Sequence, residues 1–447
     1  MGNKGEVECR SCAGARSPGR RRLLTSSGLL VASALLPGVR RVATAEAPTA
    51  LRIGVMGPFG GPASGTGRDI RQGIEMALDD AGAEGELPLL IDGRQRRIEP
   101  VWIDSRSDPV IAADAVGDVL ARGEVELMFG GWHTAVALAV MEVEADLGMV
   151  HLGNVASGQA IADRLNADPV RYGGWFKGWP SPARLIPQYL EPLSHFRRQG
   201  LWRPASLRAA IVVEDTPWGE SWGEAMAATL RRLDFEVQVA DPVGLEQTDY
   251  RRILRHFRQQ EVSFLAMTNS GNVAASSFVR QFREEALAAL LVADSLRGSS
   301  DWYRRTGEAS NYAICMDSAM PIALWQRWWV RRYQARYGQY PNIVAAGLHY
   351  DYMRMSIRAL NAAASLDRER LIRTVHRTAY RGIWNLYRYA RQPGAHAVSV
   401  NEVMTGRFME GFYFPMVQLF DGESKIVWPL RYADMRFAAP PWTAAFD

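Results

Sequence analysis

The sequence predicts an α/β fold made of two successive lobes, each with its own parallel sheet. Three observations lead there. From Leu51 onward, short apolar runs alternate with segments of helical period, the pattern of parallel βαβ units. That pattern halts in a Gly-, Trp- and Pro-rich stretch from Tyr172 to Pro182 and then starts again. A chain of 447 residues with 47% hydrophobic and 22% charged residues is also long and apolar enough for two cores rather than disorder.

Residues 1 to 45 read as a removable export signal. They hold a basic start, an apolar core from Leu23 to Leu36, and Ala43-Thr44-Ala45 as a small-x-small cleavage site. The core is shorter than the roughly 20 apolar residues of a membrane span and is cut by Pro37. Arg20-Arg21-Arg22-Leu23-Leu24 resembles a twin-arginine signal, with an ordinary secretory peptide as the alternative. Of 52 basic and 48 acidic side chains, eight and two fall in this leader, so the other 402 residues carry 44 and 46. The overall charge of +4 thus belongs to the leader, and a nucleic-acid partner is not expected. No later segment is long and apolar enough to span a membrane. Cleavage near Ala45 would remove Cys9 and Cys12 and leave only Cys315, too few for an internal disulfide.

The first lobe is expected to hold strands at Leu51–Met56, Glu99–Ile103, Val125–Phe129 and Met149–Leu152. Between them run helices marked by Ile70, Ile74, Leu78 and Ala81, by Val116, Val119 and Leu120, and by Val136, Val140, Val143 and Leu147. The second lobe repeats the scheme, with strands at Ala209–Val213, Glu236–Ala240, Val262–Met267 and Leu290–Ala293, and Asn311–Met316 follows as a further strand. A helical region from Leu324 to Thr378 then covers an existing sheet rather than building a third domain. Phe412–Phe420 and Lys425–Trp428 flank an Asp421-Gly422 turn and read as a terminal hairpin.

Ligands of open α/β sheets bind beyond the carboxyl ends of the strands, so the loops there carry the candidate chemistry. The Gly57–Gly67 loop, which includes Phe59, lacks the Gly-Lys-Ser/Thr ending of a phosphate loop and has Ile70 where a dinucleotide fingerprint needs Gly. It reads as a flexible loop at a cleft mouth. Trp132, His133 and Thr134 precede the Val136 helix, where free N–H groups favour an anion or a carbonyl oxygen; simple capping by Thr134 is the alternative. Asn154 and Ala156 leave another strand in what is otherwise an ordinary turn. In lobe two, Trp218, Asn269 and Asp294 occupy equivalent ends. A carboxylate after the apolar Leu290 strand is costly unless something meets it, whether a ligand N–H, a neighbouring Arg or a helix N-terminus. Trp132, Trp175, Trp179, Trp218 and Trp302 fall where a cleft would be, either as ligand walls or as interlobe packing. No metal-ligand spacing and no catalytic motif appears among the seven His and the Ser residues, and no cofactor is expected.

In order and spacing, several motifs resemble the type I periplasmic binding proteins that serve ABC importers of branched-chain amino acids, urea and short-chain amides. They are Ile53-Gly54-Val55 through Gly67 to Gly73-Ile74-Glu75-Met76-Ala77-Leu78, Asp104-Ser105-Arg106-Ser107-Asp108-Pro109, Phe129-Gly130-Gly131, Trp175-Phe176-Lys177-Gly178-Trp179-Pro180-Ser181-Pro182 and Pro217-Trp218-Gly219. The resemblance implies two Rossmann-like lobes joined by three crossovers, divided as 46–174 (lobe one), 175–312 (lobe two), 313–404 (helical return to lobe one) and 405–447 (lobe-two hairpin and tail). It implies a periplasmic monomer that binds a small solute by hinge closure, without chemistry, for a membrane permease. By position, Thr134, Asn154 and Ala156 would hold a carboxylate or carbonyl, Trp218 would close over the ligand and Asp294 would receive an amine. Asn154, Ala156 and Trp218 depart from the pattern of amino-acid binders, and the Trp175–Pro182 segment looks closer to the urea and amide branch. A periplasmic sensor, and an exported enzyme using the Gly57–Gly67 loop, are the alternatives.

Overall fold

A computed structural model describes residues 47–316 and 320–443; the expected export signal, its cleavage site and Cys9 and Cys12 lie outside the described residues. The first sheet contains β1 (Thr49–Gly57), β2 (Leu89–Ile91), β3 (Arg94–Asp104), β4 (Leu127–Gly130), β5 (His151–Asn154) and β6 (Trp175–Lys177), in the order β2-β3-β1-β4-β5-β6. All neighbours are parallel except β2, which forms a hairpin with β3. The second sheet begins with β7 (Arg208–Val213), β8 (Glu236–Val239), β9 (Phe264–Thr268), β10 (Leu290–Ala293) and β11 (Ile314–Met316). After a small ribbon of β12 (Tyr380–Arg381) and β13 (Leu386–Tyr387), it is completed by β14 (Met416–Phe420) and β15 (Glu423–Trp428), in the order β15-β14-β11-β10-β9-β7-β8.

The inner strands are continuous apolar runs because helices cover both faces. Every residue of β4, β5, β9 and β10 is buried. Local chemistry sets where the helices start. Asp108 accepts from Val110 N and Ile111 N at the head of Pro109–Ala121, and Thr216 accepts from Gly219 N at the head of Pro217–Arg231. In the terminal hairpin, Asp421 and Gly422 both take positive φ, the backbone of a tight two-residue turn, as the Asp-Gly pair predicts.

The chain crosses between the sheets three times: after β6, after β11 and before β14. Two expected boundaries move. Trp175–Lys177 pairs with β5, so the first sheet runs past 174, and Ile314–Met316 pairs with β10, so the second runs past 312. A three-residue strand has no periodicity to read, and the Trp and Pro residues around β6 hid it inside an apparent linker. The helices after β11 contact the first lobe. Arg332 and Tyr350 both bond Asp80 on the helix Ser64–Ala83, and the backbone of Ala346 lies so close to Gly73 that a Cβ there would sit 2.0 Å from its carbonyl oxygen.

The first and third crossings run side by side. Lys177 N donates to Asn401 O and Val403 N donates to Lys177 O, both at 2.9 Å. The side chains of Lys177 and Glu402 face each other at 3.4 Å with no exposure to water. Burial pulls the Lys177 ammonium down and Glu402 opposes that shift. Glu402 also accepts from the backbone N–H groups of Ser181, Val398 and Ser399, while Lys177 donates to Trp179 O. Lys177→Met would leave a buried carboxylate without its counter-charge, and should lower unfolding free energy by about 3–5 kcal/mol in a denaturant titration.

Candidate ligand-binding cleft

A cavity of about 100 Å³ lies between the carboxyl ends of the two sheets. That is room for a few waters or one small solute. The first lobe lines it with Trp132, His133, Thr134, Val155, Ser157 and Val344, and the second with Glu214, Trp218, Ser270, Asp294, Ser295, Arg297, Gly298, Cys315 and Met316; Trp179 enters from the first crossing.

On the lobe-one side the platform is the Gly130-Gly131 turn between β4 and the helix Thr134–Asp146. Both glycines have positive φ, and a Cβ on Gly131 would come within 2.2 Å of the Asn154 amide nitrogen. Asn154 Nδ2 donates to Gly130 O at 2.7 Å, His151 Nε2 meets the same oxygen at 2.6 Å, and His151 Nδ1 lies 2.9 Å from Glu144. These three buried polar side chains hold the turn that launches the helix. His133 takes the N-cap position and Thr134 opens the helix, so the first turn, with its excess of N–H donors, borders the cavity.

Lobe two supplies the charge. Asp294 follows β10, and burial pushes its carboxyl up to about 7, with Glu214 adding to the rise and Tyr189 opposing it through a hydrogen bond. The Trp222 indole N–H also opposes it from nearby but lacks full hydrogen-bond geometry. The oxygens of Glu214 are occupied by Ser270 Oγ and Thr216 Oγ1, each at 2.6 Å, and by the Ser270 N–H. Trp218 is fixed by its indole N–H on Thr268 Oγ1 at 3.1 Å, and that hydroxyl pairs with Ser295. The cavity is therefore an aromatic slot with the Asp294 carboxyl in its lobe-two wall.

Hydrogen bonds close the cleft. Asn272 N donates to Pro62 O at 3.0 Å, Asn272 Nδ2 to Thr66 Oγ1 at 3.1 Å, and Thr66 Oγ1 to Gly298 O at 2.6 Å. Ser300 gives its N–H and hydroxyl to the carboxylate of Asp69, at 2.7 and 3.0 Å. Gly65 allows the approach, since a Cβ there would lie 2.8 Å from Asn272 Oδ1. His133 spans the gap as well, with Nε2 3.0 Å from Ser107 Oγ on its own lobe and Nδ1 3.3 Å from Ser270 Oγ on the other. Burial pulls its imidazole down to about 4, so it bridges as the neutral ring.

Among the described residues no group of three or more His, Cys, Asp and Glu side chains could hold a metal ion, and no helix is long and apolar enough to cross a membrane. The model of a family described as periplasmic binding protein matches residues 50–407, which takes in both sheets up to the third crossing. The chain belongs to this family. The binding protein is 20% identical to Leu/Ile/Val-binding protein homolog 8 of Brucella suis biovar 1 over 363 residues, 78% of this chain and 85% of that one. Its fold matches the leucine binding protein LivK of Thermotoga maritima, with TM-score 0.66, 16% identity and 84% and 97% of the two chains covered. It also matches an ABC-transporter solute binding protein of Rhodopseudomonas palustris BisB5 in complex with 3,4-dihydroxybenzoic acid, with TM-score 0.68, 15% identity and 88% and 99% covered. The periplasmic binding protein is a solute binder and not an enzyme.

Of the ten site residues expected from the sequence, the fold gathers Trp132, His133, Thr134, Trp179, Trp218 and Asp294 around the binding protein's cavity. Four stand elsewhere. Asn154 accepts from Ala156 N at 2.9 Å, so each residue occupies the other's polar group behind the wall. Asn269 is spent on Gly244 O and Gly271 N. Phe59 packs against Trp102, with Arg71 over both rings. Ser270 belongs to the Asn269-Ser270-Gly271 strand end that the sequence marks, whereas Glu214 and Arg297 are not among the expected residues; Glu214 has a signal, a carboxylate directly after the apolar run of β7. Trp175 and Trp302 are buried away from the cavity.

Two outcomes follow for the binding protein. The usual carboxyl value of Asp294 is 3.8 and its folded value about 7, so between those pH values the folded state holds a proton that the unfolded chain has released. Stability falls as pH rises through that window, by about 2–4 kcal/mol in full. Asp294→Asn should therefore raise Tm at pH 8, leave it unchanged near pH 4, and abolish binding of an amine ligand. Asn272→Ala removes closure bonds without touching the cavity. It should weaken ligand binding about tenfold by calorimetry, from one or two net hydrogen bonds of about 1 kcal/mol each.

Proposed function

We propose that this periplasmic binding protein is the solute-capturing component of an ABC importer, and that its solute is small and carries an N–H donor: an amino-acid-like amine, urea or a short-chain amide. The observation that carries this is Asp294, a carboxylate at the end of a buried strand, facing a cavity between two lobes with acceptor capacity left over. A ligand N–H placed there would recover the cost of burying it. Trp132, Trp179 and Trp218 favour a flat or apolar body on the remaining surface. The N–H donors of the helix opened by Thr134 suit a carboxylate or carbonyl oxygen on the opposite side. An aromatic ring is compatible with the same walls, and one structural relative holds a dihydroxybenzoic acid. We further propose that the two bodies that move are the first sheet with its returning helices and the second sheet with the terminal hairpin. The closed form would be presented as a monomer to a membrane permease after export and cleavage near Ala45.

A thermal-shift screen, followed by calorimetry, of amino acids, urea, acetamide and hydroxybenzoates tests this reading. An amine or amide should raise Tm by several degrees at saturating concentration, by mass action. Binding of hydroxybenzoates alone would remove the N–H donor from the proposal, and silence across the panel with folded protein would remove the proposal itself.

A further inference from the structure

The helix Leu324–Tyr337 carries a surface that solute capture does not use. Its buried face is Gln326, Trp329, Val330 and Tyr333. The opposite face presents Leu324, Trp328, Arg331 and Ala335 in one row, at the i, i+4, i+7, i+11 spacing of a single stripe. Trp325 and Arg332 flank the row on one side, Arg327 on the other. Leu324 is 78%, Trp325 48% and Trp328 54% exposed, three large apolar side chains within five residues. Single exposed apolar residues need no explanation, but a cluster bordered by charge marks a contact surface.

Two details distinguish it from loose surface. The tryptophans are held: Trp325 donates its indole N–H to Ile383 O at 3.2 Å, and the Arg332 guanidinium lies 4.6 Å from the Trp328 ring while paired with Asp80. The charge is one-signed. The helix holds Arg327, Arg331, Arg332 and Arg336 and no acidic residue, although the 402 residues after the leader carry an acidic excess. Arg332 and Arg336 are paired with Asp80 and Asp79, whereas Arg327, whose Nε donates to Pro321 O at 3.1 Å, and Arg331 are exposed and, among the described residues, form no ion pair with a carboxylate.

We propose that this face of Leu324–Tyr337 rests on an anionic lipid bilayer, with Leu324, Trp325 and Trp328 entering the headgroup region and Arg327 and Arg331 meeting lipid phosphates. Tryptophan suits that depth because its ring is apolar and its N–H polar, and arginine adds an attraction that salt weakens. Such a contact would hold the binding protein along the membrane in which a permease sits. It rests on the export reading only for access to a membrane.

Sedimentation of the exported protein, purified from its host, with phosphatidylglycerol vesicles and with pure phosphatidylcholine vesicles tests the contact without any solute. Binding to the anionic vesicles is expected, at least tenfold above the neutral ones and falling with added salt. W325S/W328S and R327E/R331E should each lower it tenfold or more while leaving solute binding unchanged, with Tm lowered by only a few degrees through loss of the Trp325–Ile383 bond, the Trp328–Arg332 contact and the Arg327–Pro321 bond. Brominated lipid should quench wild-type tryptophan fluorescence more than that of W325S/W328S. Equal binding to both vesicle types, binding retained in both variants, or binding only to vesicles that carry a permease would overturn the proposal; the last result would give the face to a protein partner. Failure here leaves the solute screen untouched, and a silent solute screen leaves the vesicle result standing.

Discussion

Two of the three chain crossings between the lobes are tied by opposite charges that never touch water. Lys177 and Glu402 sit where β6 runs beside the 401–403 segment, and each has further partners in the backbone. A buried pair gains little net energy over an apolar packing, yet it tolerates little misplacement, because a charge shifted from its partner keeps its full desolvation cost. That intolerance sets the geometry of everything outward from it. The carboxyl ends of the two sheets face each other because the crossings that join them are held in register.

From that hinge the cleft divides its labour. One side offers N–H donors at the start of a helix, on a glycine turn braced by Asn154, His151 and Glu144. The other offers a carboxylate whose burial works against folding. Between them stand tryptophan walls. Burial raises the carboxyls of both Asp294 and Glu144, but Glu144 has His151 beside it to oppose the rise.

The parts of the fold that were legible in the sequence are those with a period. Strands such as Leu290–Ala293 and the helix Leu324–Tyr337 stand where the apolar spacing puts them, since burial on both faces or on one leaves a direct trace. Three-residue β6 left none. In the cleft, Asp294 and Trp218 could be read because each follows a strand end and its chemistry is out of keeping with that place. Asn154 has the same position, but its amide turns inward to Gly130, a choice made by the backbone of a neighbouring strand. Val344 and Cys315 reach the cavity from elements far along the chain, and Thr66 meets Asn272 across 206 positions, which no local pattern records.

The bonds among Pro62, Thr66, Asn272 and Gly298 have a bearing on timing. They join uncharged groups at the lips of the cleft, and of the four residues Gly298 alone also borders the cavity. A solute leaving the closed protein must wait for them to break, and one arriving must wait for a molecule in which they are already broken. The same contacts therefore lengthen residence and reduce the fraction of molecules ready to bind. Capture is then paced by the opening of the lips, a rate that belongs to the protein and is shared by every solute it accepts.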